Sequence, residues 1–274
     1  MTYIPDGMAK WKREAKAHYH QDSQFFEDLF NDAKTKVLAG TAEPCFVATL
    51  VEDKHDLNIR SMSWLCGTLF GAGAETTAGS LSVFILAMVL YPEITRRAQA
   101  QIDAVVGRDR LPNFGDRAQL PYIEALVKEV QRWRPGAPIG VPRQATEDDF
   151  YNGYFIPKGT LVLLNIWAIN RDSDYFPDFD EFRPERYLDE REQLIEPMPN
   201  THAQGHMSYG TGRRMCVGKD LANQTLFIDF ATLLWACNID KAIGADGNPI
   251  IPSQADFVDE GVVVYVQLVQ HPAR

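Results

Sequence analysis

From Ser63 to Tyr91 the chain is almost unbroken in its apolarity, and Glu75 is the one charged residue in the run. A stretch of that length is enough to cross a bilayer as a helix. A charge held at mid-bilayer is costly, however, and Glu75 sits among Thr76, Thr77 and several glycines. The run therefore points to a long helix buried in a protein core. The pattern predicts it over about residues 57–90, ended at Tyr91-Pro92 because a proline disfavours helical backbone in the residue before it.

Other helices follow from period. Gln24 to Leu38 repeats Phe25, Phe26, Leu29, Phe30, Ala33 and Val37 at helical spacing, with Gly40 as a stop. Pro92 opens a helix with Ile94, Ala98, Ile102 and Val105 on one face. Pro121 opens another over about 121–134, stopped at Arg134-Pro135. Asp149 to Asn165 then changes to β-rich runs broken by Asn152-Gly153 and Lys158-Gly159, which predicts short strands. Phe176 to Leu188 reads as ordered loop. A helix follows Cys216, so that loop and helix fill about 208–236, and Glu260 to Gln270 reads as a strand. The class expected is mainly α with small β-sheets.

At 274 residues and 45% apolar, the chain can bury a substantial core. A net charge of −10 sets nucleic-acid binding aside. Cys45, Cys66, Cys216 and Cys237 form no CxxC pair, which suits a mostly reduced, intracellular chain. The opening MTYIPDGMAKWKRE lacks the apolar segment of a signal peptide.

The most informative segment is Ser208-Tyr-Gly-Thr-Gly-Arg-Arg-Met-Cys216-Val-Gly218. Its glycines permit backbone angles closed to other residues, and Gly218 keeps the helix start bare, so a flat macrocycle could lie close. A cysteine at a helix start is favoured as thiolate. Arg213 and Arg214 add positive charge suited to that thiolate or to carboxylates. Alone, the segment equally suits a glycine-rich turn around a capped, buried cysteine. A zinc site from His202, His206 and Cys216 lacks an HExxH glutamate and is disfavoured.

In the apolar run, Ala72-Gly-Ala-Glu75-Thr76-Thr77 places an acid beside an alcohol. A threonine there can bond the carbonyl of Ala72 and bend the helix, and the pair suits proton relay. Ordinary helix packing accounts for the same string. Glu129-x-x-Arg132 puts acid and base one turn apart on one helix, usually a surface pair of small worth.

Taken together, the Glu75-Thr76 pair, Glu129-x-x-Arg132, Pro184-Glu-Arg186-Tyr187 and Tyr209-x-x-Gly212-x-Arg214-x-Cys216-x-Gly218 resemble, in order, the motifs of the cytochrome P-450 superfamily, most closely its fungal members that oxidise secondary metabolites or xenobiotics. Tyr209 and Tyr187 stand where that family usually has Phe, and a buried Tyr209 hydroxyl would need a partner. The resemblance implies the C-terminal part of the cytochrome P-450 fold, with 1–274 as a partial domain whose N-terminal half is missing. It implies heme b (iron protoporphyrin IX) held by the Cys216 thiolate, a ligand that favours O–O cleavage, and dioxygen as co-substrate. Arg214 and Arg143 become propionate contacts, and Tyr209, Gly212 and Gly218 shape the cofactor loop. Glu75 and Thr76 become catalytic, and Glu129, Arg132 and Arg186 a buried structural triad.

By the same resemblance, apolar Ala137–Val141, Phe257–Val262 and the helix before Glu75 line a pocket for a hydrophobic small molecule. The implied reaction is monooxygenation with electrons from an NADPH-dependent reductase. Arg213, Arg214 and Lys219 offer either a reductase face or service only to haem and solvent. An isomerase or dehydratase acting on peroxides would need no Glu75-Thr76 relay, and an inactive truncated fragment without haem is a further alternative. A full-length relative is expected in the endoplasmic reticulum membrane through an N-terminal anchor. This chain, lacking one, is expected to be cytoplasmic or of unknown location.

Overall fold

The computed structural model describes residues 5–199, 201–253, 257–259 and 264–266. Seven α-helices carry the described part: α1 (Lys10–Leu38), α2 (Phe46–Glu52), α3 (Ile59–Leu90), α4 (Pro92–Val105), α5 (Pro121–Trp133), α6 (Ile166–Ile169) and α7 (Lys219–Ala236). Three two-stranded antiparallel ladders accompany them. β1 (Arg143–Gln144) pairs with β4 (Leu161–Val162), β2 (Asp149–Tyr151) with β3 (Tyr154–Ile156), and β5 (Phe257–Asp259) with β6 (Val264–Val266). The class is mainly helical with small sheets, as the sequence predicts.

The chain divides into two compact units, Met1–Ala74 and Glu75–Arg274, and α3 runs through the boundary. In the first unit, Phe30, Leu50 and Met62 form a small core. The Trp64 indole N–H donates to Ser23 Oγ at 2.9 Å, and its ring stacks on Tyr19 at 5.4 Å between centroids. α1 begins at Lys10, fourteen residues before the predicted start at Gln24. Its first half is a run of Lys, Arg, Glu, Ala and His with almost nothing buried, so apolar period could not reveal it. Strong helix formers carry that half instead.

The second unit holds the main core. Val83, Phe84, Leu86, Ala87 and Met88 at the end of α3 pack with α4, α5 and α7, and the Phe84 and Phe230 rings stack at 3.9 Å. Among the described residues, α3 is a helix long and apolar enough to cross a membrane, but this end of it is core. α4 and α5 each begin on a proline at the first turn, where a missing N–H costs nothing. Nearly all of α5 is buried, including Glu129, Gln131 and Arg132. Asn152-Gly153 forms the β2–β3 turn and leaves Phe150, Tyr151 and Tyr154 exposed. Of the predicted strand Glu260–Gln270, Val264–Val266 is β6, and the rest lies outside the described residues.

Candidate functional site

The cysteine loop connects a 3-10 turn, Gly212–Arg214, to α7. Gly210 and Gly212 sit at φ +75° and +67°, the left-handed region that a side chain would strain. This lets the loop double back, so that the Cys216 N–H donates to the Tyr209 carbonyl at 2.9 Å. α7 starts at Lys219 with Gly218 as its N-cap, so Cys216 lies two residues ahead of the cap rather than in the first turn. The thiol is exposed, which removes the reading of a buried, capped cysteine. A Cβ on Gly218 would lie 4.0 Å from Cys216 Sγ, and one on Gly212 would meet nothing within 4 Å. Neither glycine position is crowded.

Arg143, on β1, holds this loop from the side. Its guanidinium donates to the Thr211 carbonyl at 3.2 and 3.3 Å and to the Arg214 carbonyl at 3.2 Å. Arg213 and Arg214 are exposed, and among the described residues neither pairs with a carboxylate. Tyr209 points its hydroxyl the other way, donating to Asn223 Oδ1 at 2.8 Å and accepting from Gln131 Nε2 at 3.0 Å. Burial, reinforced by the Cys216 sulfur nearby, pushes the Tyr209 phenol above its usual range, so it stays neutral.

Behind the loop lies a buried ion-pair cluster. Arg132 donates through Nε and Nη2 to the two Glu129 oxygens at 2.8 and 2.9 Å, with both side chains fully buried. Arg186 Nε reaches the same carboxylate at 3.1 Å, and the Arg183 backbone N–H donates to it at 2.8 Å. Burial disfavours the Arg132 charge, but Glu129 raises its pKa above the ordinary value. The predicted triad is thus assembled as one unit: one carboxylate between two guanidinium groups.

Sequence reasoning missed the residue that ties triad to loop. Asn170 is fully buried. Its carbonyl accepts from Arg132 Nη1 at 3.0 Å. Its amide donates to Ser208 Oγ at 3.0 Å and accepts from the Met207 N–H at 2.9 Å. Ser208 Oγ in turn donates to the Gln131 carbonyl at 2.7 Å. Asn170 carries no local signal, since its partners are 37–38 residues away.

His206 was also unforeseen in this position. It is 2% exposed, and its Nδ1 accepts the Ser208 N–H at 3.2 Å. Burial, with the positive charges of Lys128 and Arg132, drops its pKa to about 3. Such an imidazole is neutral when folded and takes up a proton on unfolding at any pH between about 3 and its free value of ~6.5. Its stabilisation is complete above that free value and is lost as pH falls through the window. Between pH 7 and 5 this one group should remove about 2 kcal/mol. Urea unfolding at both pH values should show that loss shrinking in His206→Gln by a comparable amount. An unchanged pH dependence would sink this assignment.

Glu75 and Thr76 lie on α3, which runs as continuous helix through residues 72–77. Glu75 is exposed and Thr76 half-buried, with the Thr76 carbonyl accepting from Ser80 Oγ at 3.0 Å. In the expected substrate wall, Ile139 and Val141 are exposed at 52% and 70%. Phe257–Asp259 is strand β5, and residues 260–262 of that wall lie outside the described residues.

This geometry fits haem. A planar dianion with a metal that thiolates bind would meet an exposed sulfur, uncrowded glycines in its loop and two guanidinium groups without ion pairs among the described residues.

Comparison with known proteins agrees. A sequence profile described as Cytochrome P450 matches residues 3–259. Cytochrome P450 monooxygenase 58 of Postia placenta is 56% identical over 96% of this chain and 50% of its own length. A cytochrome P450 monooxygenase of Armillaria gallica is 50% identical over 96% of the chain and 51% of its own. The iboC monooxygenase of Amanita muscaria is 35% identical, with coverage of 96% and 56%. The chain spans about half the length of the curated relatives it matches.

Proposed function

The chain belongs to the cytochrome P450 family, and on that premise we propose that it is the thiolate-bearing part of a haem-dependent monooxygenase. The reaction is RH + O2 + two electrons + two protons giving ROH + H2O. The electrons come from an NADPH-dependent reductase, and RH is a hydrophobic small molecule. The exposed Cys216 thiol on a loop braced from behind is the observation that carries this reading.

Heme b, when bound, supplies the dioxygen-activating metal. The chain's own residues do the rest. Cys216 Sγ would provide the thiolate that holds the group, and the Tyr209 carbonyl fixes its backbone by taking its N–H. Arg214 offers its free guanidinium to a propionate, and Arg143 keeps the loop in register through the Thr211 and Arg214 carbonyls. The Glu75 carboxyl, exposed to solvent, and the neighbouring Thr76 hydroxyl would serve as the acid–alcohol pair that relays protons. The exposed apolar side chains of Ile139 and Val141 present a surface for an apolar substrate. A full-length relative would be attached to the endoplasmic reticulum membrane through an N-terminal segment.

The test is isotopic. With haem and an NADPH-dependent reductase supplied, biphenyl as apolar probe and 18O2 as gas, hydroxybiphenyl should carry one 18O atom. No oxygenation of biphenyl with reductase present, together with rearrangement of an added organic hydroperoxide in the absence of reductase, would instead favour isomerase or dehydratase chemistry.

A further inference from the structure

A cavity of about 260 Å³ opens beside the triad, and none of residues 207–219 lines it. Its apolar walls include Phe176, Leu194, Ile195 and Met198. The volume falls just below the ~300–1,000 Å³ of ordinary ligand pockets, so any occupant is small. Lys128, Arg183 and Arg186 supply its cations, and Glu196, at the exposed rim, its one lining carboxylate.

The charges around it do not balance. Arg183 pairs with Asp178 at 3.2 Å. Arg186 must share Glu129 with Arg132. Lys128 has no carboxylate within ion-pair distance among the described residues. Its ammonium donates only to neutral carbonyls, Gln204 at 2.9 Å and Ala203 at 3.3 Å. An ammonium has three donors, so one N–H remains. Gln204 lines the cavity, which places this ammonium at its wall.

A second donor is unspent. Tyr187, another lining residue, is 6% exposed, and its hydroxyl is buried with no hydrogen-bond partner. Its ring lies against Gly205, where a Cβ would come within 3.0 Å. Buried hydroxyls are seldom left unpaired, and most exceptions have a reason. The contrast with Tyr209, whose hydroxyl has two partners, sharpens the point.

We propose that this cavity is a small-molecule site for a compact apolar monocarboxylate, with the carboxylate at Lys128 and the apolar body on Phe176, Ile195 and Met198. The remaining Lys128 N–H matches a carboxylate oxygen. The excess positive charge selects an anion over its neutral amide, and the walls select a hydrocarbon body over an inorganic ion. The site is independent of the haem chemistry proposed above.

The experiment uses the full chain with 13C-methyl methionine, the Met198 resonance being assigned by Met198→Leu. Titration with 3-phenylpropionate should shift the Met198 methyl saturably, and 3-phenylpropanamide should bind at least tenfold more weakly. Lys128→Gln should weaken the acid to the level of the amide, Lys128→Arg should keep most of the affinity, and Ile195→Trp should block both ligands. Circular dichroism confirms the fold of each variant, and the acid–amide comparison needs no variant at all. An unmoved Met198 methyl, or equal affinity for acid and amide, overturns the proposal.

Discussion

Cys216→Ala protein, supplied with haem, reduced and exposed to carbon monoxide, is expected to lose entirely the strongly red-shifted Soret band that the unaltered chain should give. That band reports electron donation from an axial thiolate, a property no alanine can replace. The variant is informative because its fold should survive. The side chain is exposed, and the loop is held by backbone bonds, Cys216 N–H to Tyr209 and the Arg143 contacts to Thr211 and Arg214. Surface changes of this kind usually move stability by less than ~0.5 kcal/mol. Urea unfolding should therefore match the unaltered chain within that margin while the spectrum changes completely. Persistence of the band in the variant would assign the ligand to Cys45, Cys66 or Cys237 and refute the site.

Glu129→Ala should have the largest effect on stability. Arg132 is fully buried and the Arg186 side chain 6% exposed, and both direct their charge at this one carboxylate. Truncation strands two guanidinium groups and the Arg183 N–H together. Removing one partner of a buried ion pair typically costs ~3–5 kcal/mol, against a total stability of about 5–15 kcal/mol. The variant should unfold at much lower urea or fail to accumulate. A triple replacement, Glu129→Leu with Arg132→Met and Arg186→Leu, should be less damaging than the single change, because it leaves no buried charge unpaired. A single-variant cost under about 1 kcal/mol would mean that water reaches the cluster and that it does not brace the loop.

Local pattern revealed what local physics determines. α4 and α5 were legible because a proline opens each and an apolar face runs its length. The β2–β3 hairpin was legible from Asn152-Gly153. α2 was not, since seven residues hold too little period, and the 3-10 turn at Pro184–Tyr187 hid inside a stretch read as loop. At the site, the cysteine loop and the triad residues could be chosen by motif, but the way they are joined could not. Asn170, Gln131 and Asn223 are ordinary polar residues until folding gives each a distant partner, and His206, bonded only two residues away, is set apart by its burial. The two tyrosines make the same point. Tyr209 and Tyr187 read alike in sequence, yet only the structure separates a hydroxyl with two partners from one with none.

Asn170 also sets a timetable. Its bonds to Arg132, Met207 and Ser208 close loops of 37–38 residues, and those of Gln131 to Ser208 and Tyr209 close loops of 77–78. Contacts of such sequence separation form late, since chain entropy is spent before they are made. The segment carrying Cys216 is thus expected to order late, once α5 has met the turn at Asn170, and pulsed thiol labelling during refolding should find Cys216 reactive up to that point. Until then its thiol rides on an unstructured ribbon, open to oxidants and to any metal the cell offers.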